Sequence, residues 1–186
     1  MRKIVASQFI SLDGVVEAPD QWHFPYFNDE MGQAVWSALS ACDTLLLGRV
    51  TYEGFAATWP NRDSGDEPDE MVNFMNKTPK VVVSTTLDAV EWENSTLIKS
   101  DVIEEITKLK RRPGGTIGTT GSVTLIRSLL TAGLVDELHL LVHPIVVGGG
   151  GLRLFADDGP KMPLKLAESH TFETGVLDLR YVPAEA

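Results

Sequence analysis

Short apolar runs closed by glycine or small polar residues alternate along this chain with segments whose apolar residues recur at threes and fours. That alternation constrains the fold more than any other feature. A run apolar on both faces has to lie inside a sheet, and the amphipathic segments between such runs have to cover it from above and below. Residues 43–47 closed by Gly48, Lys80–Val83 followed by Ser84-Thr85-Thr86, and Thr116–Thr120 running into Gly121-Ser122 are runs of this kind. Residues 4–12 form a further strand ended by the Asp13-Gly14 turn, and a short strand is expected over 96–98. Helical spacing begins after Asn28, where Met31, Ala34, Val35, Ala38, Leu39 and Cys42 share one face, with Asn28 as cap and Asp29 and Glu30 in the first turn. That helix should end near Ala41. A second is expected on Val102, Ile106 and Leu109, with Asp101 and Glu104 as a box-like start and Pro113-Gly114 as its stop. A third carries Leu125, Ile126, Leu129 and Leu130, and Gly133 closes it.

The tail changes style. Residues 137–142 and 145–147 are strand material broken by Pro144, and Gly148-Gly149-Gly150-Gly151 follows. Residues 164–172 and 176–182 alternate at period two around Glu173-Thr174-Gly175, the pattern of an antiparallel hairpin. The chain therefore reads as one α/β domain over residues 1–186, a mostly parallel sheet finished by an antiparallel edge.

The balance of 26 acids against 16 bases gives a net charge of −10, which disfavours a nonspecific nucleic-acid or anionic-membrane surface. Lys108, Lys110, Arg111 and Arg112 read as complements to a helix C-terminus rather than as a nucleic-acid patch. Cys42 is the single cysteine, so no intrachain disulfide forms, and no Cys/His spacing marks a metal site. No window approaches the roughly 18 apolar residues of a membrane span. Ser7, Gln8, Ser11 and Asp13 interrupt the N-terminal apolar stretch before it reaches signal-peptide length, and a cytoplasmic location is expected.

The chemistry should gather where strands end. In an open parallel sheet, ligands lie outside the carboxyl ends of the strands, where helix N-termini point unpaired N–H groups outward. Gly48-Arg49-Val50-Thr51, Ser84-Thr85-Thr86 and Gly121-Ser122-Val123 offer close backbone approach, hydroxyls and a planar cation, which is what phosphate groups need. Ser122 doubles as an N-cap, and a strand–Gly–Ser–helix junction is also an ordinary capped turn. The dinucleotide fingerprint G-x-G-x-x-G does not occur at a strand-to-helix junction. Residues 15–27 hold Pro19, Asp20, Trp22, His23, Pro25 and Tyr26, and read either as a binding lid or as a surface loop pinned by its aromatics. Residues 60–68 read as an acidic loop.

Leu45-Leu46-Leu47-Gly48-Arg49-Val50-Thr51-Tyr52-Glu53 resembles the segment of dihydrofolate reductases that opens the NADPH site. Val81-Val82-Val83-Ser84-Thr85 and Thr120-Gly121-Ser122-Val123 are similar to the later cofactor-binding strands, in the same order. Ser11-Leu12-Asp13-Gly14, Leu134-Val135-Asp136-Glu137-Leu138 and the stretch from His143-Pro144-Ile145 to Gly148-Gly149 resemble the reductase domain of bifunctional riboflavin-biosynthesis proteins and its stand-alone relatives. The resemblance covers essentially the whole chain. It implies a dihydrofolate-reductase-like three-layer α/β/α fold and NADPH as cofactor.

Under that resemblance Gly48, Arg49 and Thr51 sit at the adenosine and pyrophosphate end, with Arg49 facing the 2′-phosphate. Ser84 and Thr85 supply hydroxyls to that phosphate or the adenine ribose, and Gly121, Ser122 and Val123 cradle the pyrophosphate. Gly14 and the first strand hold the nicotinamide, while Trp22 and His23 close over the substrate and Trp59 flanks it. Asp13, Asp29 and Glu30 are the nearest acids, and a carboxyl pushed toward neutrality by burial would supply the proton that a C=N or C=O reduction needs. Each of the three also suits a turn or a cap. His143 and His170 read as packed strand residues, and Trp36 and Trp92 as structural.

The implied reaction is NADPH-dependent reduction of a small planar heterocycle of pyrimidine or pteridine type. The alternatives are the 5-amino-6-(5-phosphoribosylamino)uracil reductase step, with Arg153 or Arg127 anchoring the ribose phosphate, and a noncatalytic nucleotide-binding protein. Riboflavin reductases carry an Asp-Asn-Pro stretch where this chain has residues 54–60. A homodimer joined through the sheets is also implied.

Overall fold

A computed structural model describes residues 1–62 and 69–184. Eight strands form one sheet: β1 (Ile4–Ser11), β2 (Cys42–Gly48), β3 (Lys80–Val83), β4 (Ser95–Ile98), β5 (Thr116–Thr120), β6 (Glu137–His143), β7 (Leu164–Thr171) and β8 (Leu177–Pro183). Their order is β4-β3-β2-β5-β1-β6-β8-β7. The first six are parallel, and the β7–β8 hairpin adds antiparallel to β6.

Alternation along each strand decides which helix covers which face. Ile4, Ala6, Ile10, Leu46, Ile117, Leu138 and Leu140 point to the side packed by α4 (Val102–Arg111) and α5 (Val123–Thr131), through Ile106, Leu109, Leu125, Ile126 and Leu129. Leu45, Leu47 and Val82 point the other way, onto α2 (Arg49–Thr58) and α3 (Asp69–Lys77). Leu141, Phe172 and Val176 meet Met31 of α1 (Asp29–Ser40) on that same side. Leu46 and Leu47 are completely buried on opposite faces, so truncating either to Ala should cost about 2–5 kcal/mol.

Asn28 caps α1 as expected, its Oδ1 accepting from the Met31 amide at 3.0 Å. Several expectations need correction. Residues 49–58 and 69–77 are helical although no helix was expected in either, and residues 145–147 form no strand. Asp101 does not cap α4 with its side chain; its backbone is left-handed at φ 50° and its carboxylate accepts from Ser100 instead. Lys110 lies in the last turn of α4, and its ammonium also has fixed partners. It is 4% exposed and binds the Leu134 carbonyl and the Asp136 carboxylate, which locks the helix to the loop before β6.

The segment 15–27 is the pinned form of its two readings. It makes two short 3-10 turns, Pro19–Gln21 and Phe24–Tyr26, and buries Trp22 and His23. Residues 63–68 of the expected acidic loop lie outside the described residues.

Candidate functional site

The carboxyl ends of β2 and β5 are tied together by side chains. Ser122 Oγ accepts from the Gly48 amide at 2.6 Å and lies 2.9 Å from Thr51 Oγ1, which in turn accepts from the Ser122 amide at 2.9 Å. Both glycines are required by this approach. A Cβ on Gly48 would stand 2.9 Å from Ser122 Oγ, and one on Gly121 would stand 2.5 Å from Thr51 Oγ1. Ser122 therefore does not act as the expected N-cap; its hydroxyl crosses to β2, and neither α2 nor α5 is capped by a side chain. Two uncapped helix starts side by side are an arrangement suited to anionic oxygens, because both present N–H groups and the positive end of the dipole.

Arg49 opens α2 and donates to Glu53 Oε2 at 2.8 Å, with both side chains about half exposed. Ser84 follows Val83, the register partner of Gly48, so it belongs to the same edge of the sheet. Its hydroxyl accepts from the Thr86 and Leu87 amides, which shapes the turn and leaves Thr85 exposed. Val123 is the first residue of α5. Gly48, Thr51, Gly121 and Ser122 are thus brought together, with Arg49 and Ser84 on the two elements that continue and flank β2.

A cavity of about 290 Å³ lies between the sheet and the α1, α2 and α3 side. Val35 and Ala38 of α1, Phe55 of α2, Trp59 after it, and Met71 and Met75 of α3 form its apolar wall. The floor is more polar. Ser7 is in register with Thr120 on β5 and with His139 on β6, so these three side chains stand in one row on the cavity face. His139 is 2% exposed, and its Nε2 lies 2.6 Å from Asp178 Oδ1 of β8. Its Nδ1 lies 3.4 Å from Ser7 Oγ. Burial by itself would raise the Asp178 carboxyl, but the hydrogen bond and charge of His139, with Arg180 and His170 beyond, hold it below its ordinary value. Cys42 also lines the space, and burial, aided by Asp43, pushes its thiol up to about 11, so it is a neutral wall residue.

Cavity and cradle adjoin along β5. Thr120 lines the cavity, and the next two residues, Gly121 and Ser122, belong to the tied strand ends. A wider surface depression of about 760 Å³ between α2 and the segment before β4 is bordered by Glu53, Glu91 and Glu93. That acidic rim is unsuited to phosphate.

Several expected positions fall elsewhere. Asp13 ties the end of β1 to the glycine run: Ser11 Oγ and the Val147 and Gly148 amides all donate to it. The Ser11 hydroxyl, followed by the Gly148 and Val147 amides, holds its carboxyl down at about 2. Gly14 completes that turn at φ +87°. Glu30 bridges α1 to His170 and the Glu173 amide, which lower its carboxyl in turn. Neither acid is made neutral by burial, and Asp29 lies exposed at the start of α1.

Trp22 and His23 do not border the cavity. His23 stacks on Phe9 at 4.7 Å, and Trp22 meets His143 edge-on at 5.1 Å. Of the three expected substrate residues, Trp59 alone lines the cavity, with Arg62 over its ring at 5.1 Å. Arg127 sits on α5 with its guanidinium on the Arg153 and Leu154 carbonyls, away from the cavity face. Ser7, His139 and Asp178 were not anticipated, and Thr120 only as the start of the Gly121-Ser122 motif; the signal available was that Ser7 and His139 fall on the inward-alternating positions of β1 and β6.

This sheet order, with its antiparallel hairpin and face cavity, is the dihydrofolate-reductase-like fold. The chain superposes on dihydrofolate reductase from Enterococcus faecalis, complexed with NADP(H) and RAB-propyl, with TM-score 0.62 at 16% identity, covering 98% of this chain and 97% of that one. A Shewanella sp. PV-4 protein named for riboflavin biosynthesis gives TM-score 0.74 at 20% identity over 98% of this chain and 99% of that one. Residues 2–177 match the RibD C-terminal domain, and the chain belongs to that family. YyaP of Bacillus subtilis (strain 168), an uncharacterised protein, is 30% identical over 181 residues, or 97% of this chain and 94% of that protein. Membership places the chain among reductase domains related to riboflavin-biosynthesis reductase and dihydrofolate reductase. No helix among the described residues is long and apolar enough to cross a membrane.

Proposed function

We propose that the chain is an NADPH-dependent reductase of a small planar heterocycle of the pyrimidine or pteridine class. The observation that carries this reading is that the cavity and the tied strand ends adjoin along β5, at Thr120 and Gly121, since a hydride donor and its acceptor have to meet in one place. Gly48, Thr51, Gly121, Ser122 and Val123 would hold the pyrophosphate, Arg49 the 2′-phosphate, and Ser84 and Thr85 the adenine ribose. When bound, the dinucleotide supplies the hydride.

The protein's own part is to orient and to keep water out. The apolar wall from Val35, Ala38, Phe55 and Met75 excludes water from the ring, and the Ser7, Thr120 and His139 row can hydrogen-bond its polar edge. Among the described residues that line the cavity none is lysine or arginine, which favours an unphosphorylated ring over the phosphoribosyl substrate. A homodimer belongs to the same proposal. The outer strand β7 is exposed from Lys165 to Thr171 and offers a sheet edge to a second copy.

The test is NADPH oxidation in the presence of pterins, lumazines and aminopyrimidines, with and without a ribose phosphate. Turnover of an unphosphorylated ring supports the reading. Tight NADPH binding with no turnover across the panel would make the chain a noncatalytic nucleotide-binding protein instead.

A further inference from the structure

The row at the cavity floor does not stop at the cavity. Asp178, His139 and Ser7 lie on adjacent strands β8, β6 and β1 and form a line of hydrogen bonds at 2.6 Å and 3.4 Å that ends at a hydroxyl facing the cavity. Side-chain exposure is 2% for His139 and 12% for Asp178, so burial keeps competing water away from the carboxylate and the ring. Asp178 accepts at Nε2, and this fixes the ring so that Nδ1 faces Ser7. Such a line is more than packing needs, because a buried polar pair is less stabilising than apolar residues of the same volume.

We propose that His139, oriented by Asp178, hands a proton through the Ser7 hydroxyl to the ring heteroatom of the bond reduced in the cavity. The proposal rests on the reductase reading above and names the proton route that reading lacks, now that Asp13 and Glu30 are both held ionised. Once the carbon of a C=N or C=O bond has gained its hydride, the displaced π pair resides on nitrogen or oxygen. That atom takes the Ser7 proton, and Ser7 recovers one from Nδ1 of the His139 cation. His139 is left neutral with its Nε2–H on Asp178, and one solvent proton restores the cation between turnovers. Ser7 is the group that touches substrate; His139 and Asp178 act through it. At 3.4 Å the Ser7 link is the longer one, as is common for catalytic hydrogen bonds before substrate is in place.

The charged groups that face the pair have partners of their own. Arg180 stands in register opposite His139, and its charge is met by Glu137 at 3.8 Å and Glu168 at 3.6 Å. His170 is in register with Asp178 and is held by Glu30 of α1 at 3.0 Å. On the cavity side the only titratable neighbour among the described lining residues is the Cys42 thiol.

The first measurement needs neither cofactor nor substrate. Ring-nitrogen NMR of the full chain labelled with ¹⁵N, with the His139 signals identified by their loss in His139→Gln, should show Nδ1 moving in Ser7→Ala and Nε2 moving in Asp178→Asn. Ring signals indifferent to Ser7→Ala overturn the proposal. The second measurement is NADPH oxidation with the heterocycle panel. Ser7→Ala and Asp178→Asn should lower kcat by about 10²-fold, the lower end of general-acid contributions, with KM for NADPH changed less than about twofold. Asp178→Asn should also shift the pH profile; an unchanged kcat and profile overturn the proton route. Should Asp178→Asn not fold, Ser7→Ala carries both readouts. If the unaltered chain oxidises no NADPH with any ring while the ring signals still respond, the reductase reading fails and the proton transfer with it, and only the hydrogen-bonded line stands.

Discussion

Arg49 Nη1 donates to Glu53 Oε2 at 2.8 Å, one helical turn along α2. The cation assigned to the 2′-phosphate therefore already has a carboxylate partner, and a bound phosphate has to share it or displace it. Because the pair is exposed, its own contribution to stability is small. Arg49→Ala should weaken NADPH binding by roughly tenfold and leave NADH nearly unchanged, whereas Glu53→Gln should tighten NADPH by about two- to threefold. Equal losses for both dinucleotides in Arg49→Ala, measured by fluorescence titration, would remove Arg49 from the phosphate site.

Gly121 and Thr51 make the closest backbone approach at the tied strand ends. A methyl group on Gly121 meets Thr51 Oγ1 at 2.5 Å and also has to accept φ +70°. Gly121→Ala should destabilise the fold by roughly 2 kcal/mol or more and weaken dinucleotide binding. Adding Thr51→Ala removes the clash but not the backbone strain, so urea unfolding of the double variant should recover part of the loss. Additive losses in that cycle would show that the two residues do not press on each other.

Much of the fold was legible because the inner strands are short apolar runs with distinct endings. Leu45, Leu46 and Leu47 can only be buried on both faces, and Gly48, Gly121 and Gly133 mark real ends. α3 was not legible. Met71, Phe74 and Met75 carry its inner face, but the helix has only nine residues and follows an acidic, proline-containing stretch of sequence that reads as loop. Lys80 opens β3, which reads as a buried strand, and the lysine is buried with it. It is 1% exposed, donates to the Met75, Asn76 and Thr78 carbonyls, and is drawn down by burial to about 8. The site was half legible. Its glycines and hydroxyls announce themselves locally, whereas the pairing of His139 with Asp178 depends on how β8 adds to β6, which no local pattern encodes.

His23 and His143 give the chain an acid sensitivity. Burial is the larger cause that lowers both, and each keeps one ring nitrogen, His23 Nδ1 and His143 Nε2, buried without a hydrogen-bond partner. A histidine whose folded pKa is depressed stabilises the fold above its ordinary value of about 6.5, and that stability is lost as pH falls below it. Urea unfolding should therefore show a stability plateau above pH 7 and a decline toward pH 5. His23→Phe, which preserves the stacking on Phe9, should flatten part of that decline. A variant with an unaltered pH dependence would shift the effect to other groups.

Ala38 separates the two halves of the proposed site. It reaches the cavity from α1, far along the chain from the tied strand ends, and its methyl group leaves the space open. Ala38→Leu would place three more carbons inside the 290 Å³, where they meet apolar neighbours. Stability should change by less than about 1 kcal/mol, since filling an existing cavity adds contacts without new polar burial. Heterocycle binding should fall by roughly tenfold or more, because the added carbons occupy the volume of part of a ring, while NADPH affinity stays within about twofold. Heterocycle affinity that survives Ala38→Leu would mean that the ring binds outside this cavity. Loss of both ligands together, with the fold intact by circular dichroism, would mean that the cavity and the strand-end cradle are one site rather than two that adjoin along β5.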